Sequence, residues 1–184
     1  MQWTISNQLT VGRVALIPVL IAAFYFFPEP WNHYGAAFVF ALAGFTDWLD
    51  GYLARSRGEV TAFGRFLDPV ADKLLVATSL VLLVDSHDAP AILAMVIIGR
   101  EIAIGALREW LAERASVVHV STMGKWKTAA QLCAIEGLLF HESIVGVSMQ
   151  DVGLILLWFA SVLTLWSGYD YLRASWSNLR APQA

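Results

Sequence analysis

The 184-residue chain is short of cysteine and of charge, and each shortage excludes a class of protein. Its one cysteine, Cys133, leaves no intrachain disulfide framework and no cysteine-based metal cluster. Charged residues make up 15% of the chain, against about 25% in a soluble globular domain. The net charge is −3, so nothing pulls the molecule as a whole toward nucleic acid, and none is expected as a partner. Gly/Ser linkers, repeats and low-complexity runs are missing too, so residues 1–184 are expected to form a single domain. The first apolar stretch has neither a basic segment ahead of it nor a small-residue cleavage site, unlike a signal peptide.

What is present is apolar, 58% of the residues on a wide count. Six stretches, at 9–27, 34–57, 65–84, 90–115, 123–140 and 152–169, each come near the ~20 residues a helix needs to cross a bilayer. The expected fold is an all-α polytopic membrane protein of six transmembrane helices. Three connections, 28–33, 85–89 and 141–151, hold Glu29, Asp85, Asp88, Glu142 and Asp151 but no Lys or Arg. All twelve basic residues fall toward the other side, which the positive-inside rule makes cytoplasmic. Both termini are therefore expected in the cytoplasm.

The middle helices each have an apolar half and a charged half. The charged halves carry Asp47 and Asp50; Asp68, Asp72 and Lys73; and Arg100, Glu101 and Arg108. Ionisable groups at membrane depth cost several kcal/mol and face a bundle interior or a wet cavity, so a polar chamber open to the cytoplasm is expected. Asp47 and Asp50 share one helix face, as do Asp68 and Asp72, with Gly64 a turn before Asp68. Gly51, Ala54 and Gly64 remove bulk where the carboxylates converge. Four converging carboxylates repel unless cations bind, and an oxygen-only donor set favours Mg²⁺ or Mn²⁺. Two such ions form a clamp for phosphoryl transfer, and Arg55 stands at the membrane edge for a phosphate oxygen.

The full set, Asp47-x-x-Asp50-Gly51-x-x-Ala54-Arg55, eight residues, then Gly64-x-x-x-Asp68-x-x-x-Asp72, resembles the signature of the CDP-alcohol phosphotransferase family at every position. The resemblance implies six membrane helices, a homodimer and a divalent-metal site at the cytoplasmic side. It makes Asp47, Asp50, Asp68 and Asp72 metal ligands, and Asp72 also the base that deprotonates the acceptor hydroxyl. Gly51, Ala54, Arg55, Thr61 and Gly64 would hold the cytidine diphosphate portion. Further motifs resemble the bacterial branch whose donor is CDP-diacylglycerol and whose acceptor is sn-glycerol 3-phosphate. These are Asn7-x-x-Thr10-x-x-Arg13, Arg100-Glu101-Ile102, residues 106–110, and residues 124–128 with Gln131.

A phosphorylated acceptor needs an anion site, for which Arg100, Arg108, Lys125 and Lys127 are available. Arg100 and Arg108 lie about 80° apart on a helix, and Lys125 and Lys127 about 200° apart. Glu101 lies near the Arg108 face and is expected to hold that arginine. Asn7, Thr10 and Arg13 either close the nucleotide pocket or form a juxtamembrane cap. Arg114, Arg173 and Arg180 read as inner-leaflet anchors. His33, His87, His119 and His141 read as solvated loop residues and Cys133 as a buried apolar one, while Glu136 has no partner that spacing identifies. Three rival functions use the same carboxylates. The same chemistry could serve inositol phosphate or serine. An intramembrane prenyltransferase would also pair acidic motifs with Mg²⁺. A small cation transporter would give Arg55 nothing to do.

Overall fold

The computed structural model describes residues 5–57, 61–113, 123–144 and 146–180. The described residues form six helices: α1 (Ile5–Phe26), α2 (Trp31–Arg57), α3 (Ala62–Asp85), α4 (Ala91–Glu113), α5 (Met123–Phe140) and α6 (Met149–Arg180). They coincide with the six apolar stretches to within a few residues, except that α6 runs well past residue 169. Hydropathy falls off there, but packing does not: Tyr171 of α6 closes a small core with Ile104 and Leu111 of α4. The shortest helix has 18 residues, about 27 Å at the α-helical rise.

Helix ends follow local chemistry. Thr61, extended at φ −92° and ψ 155°, caps α3 by accepting a hydrogen bond from the Gly64 amide. His87 (φ 66°) and His141 (φ 61°) take the left-handed conformation just after α3 and α5, the place glycine usually fills. Between α5 and α6 a short hairpin, β1 (Ser143–Ile144) and β2 (Val147–Ser148), pairs antiparallel with Gly146 (φ 81°) in its turn. Strands of two residues are too short to give a periodicity to read.

The helices pack around one main core formed by Leu20, Phe40, Leu80, Leu83, Ile97, Leu138 and Leu157, one or two from each helix. The closest approach is between α5 and α6. A Cβ at Gly153 would stand 2.8 Å from the Leu138 amide nitrogen and 2.9 Å from the Ala134 carbonyl oxygen. Gly137 faces the same contact, with the Met149 carbonyl oxygen 3.1 Å from where its Cβ would be. Small residues at such a crossing let backbones touch where no hydrophobic force drives helices together.

The outer surface is apolar as well. Phe38, Phe66, Ile102, Ile155 and Trp166 are each more than half exposed. A monomer in water rarely shows this much contiguous apolar surface, whereas hydrocarbon solvates it. Asn7–Phe26 and Met149–Trp176 are long and apolar enough to cross a membrane on hydropathy alone, the first even with Arg13 in it. Cys133, expected inside, is exposed in an apolar groove with Trp126, Leu156 and Phe159, because Ala134, Ile135 and Leu138 are the α5 residues that face the core.

Candidate active site

The acidic residues stand on facing stretches of α2 and α3, and α1 supplies what lies between them. Asn7, Thr10 and Arg13, three residues apart along α1, are all buried. Arg13 is fully enclosed and extends its guanidinium among the carboxylates. Its Nη1 donates to Asp72 Oδ1 and forms an ion pair with Asp47 Oδ1, each at 2.7 Å, and its Nη2 pairs with Asp50 Oδ2. Thr10 Oγ1 donates to Asp68 Oδ1 at 2.6 Å and lies 3.4 Å from Asp50 Oδ2. Between them these two residues bind directly to all four aspartates. Spacing along α1 could not reveal this, because the partners come from other helices.

Asn7 sits one turn earlier and accepts a hydrogen bond from Thr61 Oγ1 at 2.7 Å, tying the start of α1 to the start of α3. Gly64 makes that junction possible, since a Cβ there would stand 3.0 Å from Asn7 Oδ1 and 3.2 Å from Thr61 Oγ1. Gly51 is half-buried on α2. The side chains of Ala54, Arg55 and Lys125 lie outside those described.

The carboxylates differ in access. The Asp50 side chain is 4% exposed, those of Asp47 and Asp72 46% and 50%. Asp50 therefore lies beneath Arg13, while Asp47 and Asp72 border an opening. One guanidinium among four carboxylates leaves excess negative charge in a partly desolvated place. The donors are hard oxygens throughout, the set that suits a divalent cation such as Mg²⁺ or Mn²⁺.

Beside Asp72 a cavity of about 310 Å³ runs between α3, α4 and α5. Asp72, Lys73, Glu101, Lys127 and Gln131 give it a charged and polar side, and Val76, Ile97, Ile98 and Ile102 an apolar one. Lys127, buried, pairs with Glu101 Oε1, to which Arg100 Nη1 also donates at 3.1 Å. Glu101 thus holds Arg100 and Lys127, and not Arg108 as its helical position had suggested.

Arg108 instead lies over the Tyr171 ring, 5.7 Å from its centre, drawn to α6. Arg100 also turns toward α6: its Nη2 donates to Ser167 Oγ at 2.7 Å and its side chain lies on Gly168. Lys73 was not among the candidate site residues. It reaches the face of α4 at Gly105, where a Cβ would collide with its Nζ. The sequence signal was its place beside Asp72, opposite a glycine.

An all-helical bundle with an apolar exterior, bearing this motif on two facing helices, defines a class of membrane enzyme. The chain belongs to the CDP-alcohol phosphatidyltransferase family, whose model matches residues 3–166. It is a polytopic membrane protein, and the family is metal-dependent. Among its curated relatives are proteins named CDP-diacylglycerol–glycerol-3-phosphate 3-phosphatidyltransferase. Those of Shigella flexneri and Haemophilus influenzae are each 45% identical over 183 residues, covering 97% of this chain and 98% and 97% of their own. That of Yersinia pestis is 45% identical over 186 residues, covering 99% of this chain and all of its own.

Proposed function

We propose that this chain transfers the phosphatidyl group of CDP-diacylglycerol to sn-glycerol 3-phosphate, giving phosphatidylglycerol phosphate and CMP. The observation that carries this is the end-to-end likeness to relatives named for that reaction. The complete acid motif, with Asp72 facing a cavity, supports it. The acceptor hydroxyl oxygen bonds to the phosphorus that bears diacylglycerol, and the bond from that phosphorus to the CMP oxygen breaks with its electron pair. Asp72, at the cavity edge, takes the hydroxyl proton. Asp47, Asp50, Asp68 and Asp72 would hold two divalent ions, Mg²⁺ or Mn²⁺, whose chemistry there is to neutralise the diphosphate.

Arg13 keeps Asp47, Asp50 and Asp72 at fixed positions, and Thr10 does the same for Asp68. Gly51, Ala54, Arg55, Thr61 and Gly64 form the cytidine diphosphate side, which Asn7 closes through Thr61. The acceptor phosphate enters the cavity of Lys127, and Arg100, Arg108 and Lys125 are the further cations proposed to bind it. Residues 1–184 act as one domain in a bacterial inner membrane, as a homodimer with six spans per chain and both termini cytoplasmic. The absence of Lys and Arg from 28–33, 85–89 and 141–151 supports that orientation.

The test is CMP release by purified protein with CDP-diacylglycerol and Mg²⁺, offered sn-glycerol 3-phosphate, inositol phosphate or serine in turn. Release with glycerol phosphate alone is expected. Release with another acceptor would leave the chemistry and overturn the substrate, and folded protein active with none would overturn both.

A further inference from the structure

At the far end of the bundle from the aspartates, three separate elements bring together His33, Asp88 and His141. His33 lies on the first turn of α2, Asp88 in the α3–α4 connection and His141 just beyond α5. One ligand atom from each lies within 4.8 Å of the other two. His141 Nδ1 is 3.2 Å from Asp88 Oδ1, and the His33 and His141 rings stack with centres 4.6 Å apart and planes at 30°. These two histidines are thus partners, and not the separate solvated loop residues that their spacing suggested. His87 is exposed nearby, and His119 lies outside the described residues.

Two details resemble a ligand site more than an ordinary ion pair. Asp88 is buried, and two donors aim its carboxylate: Ser86 Oγ to Oδ2 at 2.6 Å and Gln150 Nε2 to Oδ1 at 3.1 Å. Metal-bound carboxylates are typically held this way by their neighbours. Independently, Nδ1 of His33 is buried and makes no hydrogen bond. The imidazole therefore has a buried nitrogen that has lost its water and gained no hydrogen bond in return, so its polar capacity is not used up by the protein.

We propose that His33, Asp88 and His141 bind one Zn²⁺ ion. Two imidazole nitrogens and one carboxylate oxygen are a borderline donor set that favours zinc over the oxygen-seeking Mg²⁺ and Ca²⁺. Three protein ligands leave a fourth tetrahedral position for water. At zinc bond lengths of about 2.0–2.2 Å, ligand atoms in a tetrahedral site stand roughly 3.4 Å apart. Asp88 and His141 already meet that spacing, and His33 needs to close by at most about 1.4 Å. The ion would tie the α3–α4 connection to the ends of α2 and α5. This site is separate from the acid motif, since Asp47 lies 14 residues further along α2, about 21 Å at the helical rise. It does not depend on the proposed reaction.

The experiment uses the full chain without an affinity tag, stripped with chelator and kept in excess Mg²⁺, with Zn²⁺ titrated by calorimetry. About one ion per chain is expected to bind. His33→Ala and His141→Ala should weaken binding by about 100-fold or more, and Gln150→Leu by about 10-fold. Asp68→Asn should leave zinc binding unchanged. Thermal unfolding without zinc checks that each variant is folded. Co²⁺ spectra of the unaltered protein give a second measurement that needs no variant, and strong visible bands of four-coordinate nitrogen and oxygen ligation are expected. Zinc binding that survives loss of both histidines, loss of binding in Asp68→Asn, or a weak six-coordinate Co²⁺ spectrum would each overturn the site.

Discussion

Arg13 is enclosed by protein with its guanidinium touching three carboxylates, so its removal takes the compensating positive charge away from the buried Asp50 carboxylate. Breaking such a pair costs about 3–5 kcal/mol. Arg13→Ala is therefore expected to lower the thermal transition of the detergent-solubilised protein by many degrees and to abolish turnover. Arg13→Lys keeps the charge but loses the planar fork, so partial stability with poor turnover should result. Asp72→Asn is a gentler change, because the side chain is half exposed and its shape is kept. Turnover should fall by at least about 100-fold while the thermal transition stays within a few degrees. Near-normal CMP release from that variant would remove Asp72 as the base. At Glu101 the effect should fall on the acceptor. Glu101→Gln removes the negative charge that Lys127 and Arg100 share, and the KM for glycerol phosphate should change more than that for the lipid. Equal changes in both KM values would separate Lys127 from the acceptor phosphate.

Among the elements, α5 and α6 meet most closely, and Gly153 is where they touch. A methyl group there would press on two backbone atoms under 3.0 Å away, which cannot move as a flexible side chain can. Gly153→Ala is expected to cost about 1–3 kcal/mol. Gly99→Ala, with nothing within 4 Å of its added carbon, should be neutral or slightly stabilising. Thermal unfolding of the two variants side by side measures the difference, and equal transitions would mean that the helices tolerate separation. The helices themselves were legible as runs of apolar residues, and spacings of three and four placed the aspartates in pairs on single faces. What joins those faces was not legible. Arg13 and Thr10 reach partners 34 to 59 residues away, and only the packing of α1 on α2 and α3 decides which ones. The same holds for Glu101, which a helical wheel turns toward Arg108 while Lys127 arrives from α5. The tail of α6 was missed because its residues are polar enough to end an apolar run, yet Tyr171 and Ser175 are buried.

For the molecule as a whole, the charge distribution predicts which end faces which compartment. A cysteine introduced by Glu142→Cys in a Cys133→Ala background should react with an impermeant thiol reagent added to intact spheroplasts. One introduced by Ser56→Cys should react only after lysis. The reverse pattern would invert the topology. Chelation should stop CMP release, and Mg²⁺ or Mn²⁺ should restore it; activity that persists after exhaustive chelation would argue against a divalent ion at the four aspartates. The outer faces of the helices that carry the aspartates are apolar, with Trp48, Tyr52 and Phe66 exposed, so a lipid donor is expected to arrive without leaving the plane of the membrane. Collisions of that kind are counted per unit of surface, not per unit of volume. In mixed micelles the rate should therefore follow the mole fraction of CDP-diacylglycerol. Adding detergent at fixed bulk lipid should slow the enzyme by surface dilution, while the water-borne acceptor keeps its ordinary concentration dependence.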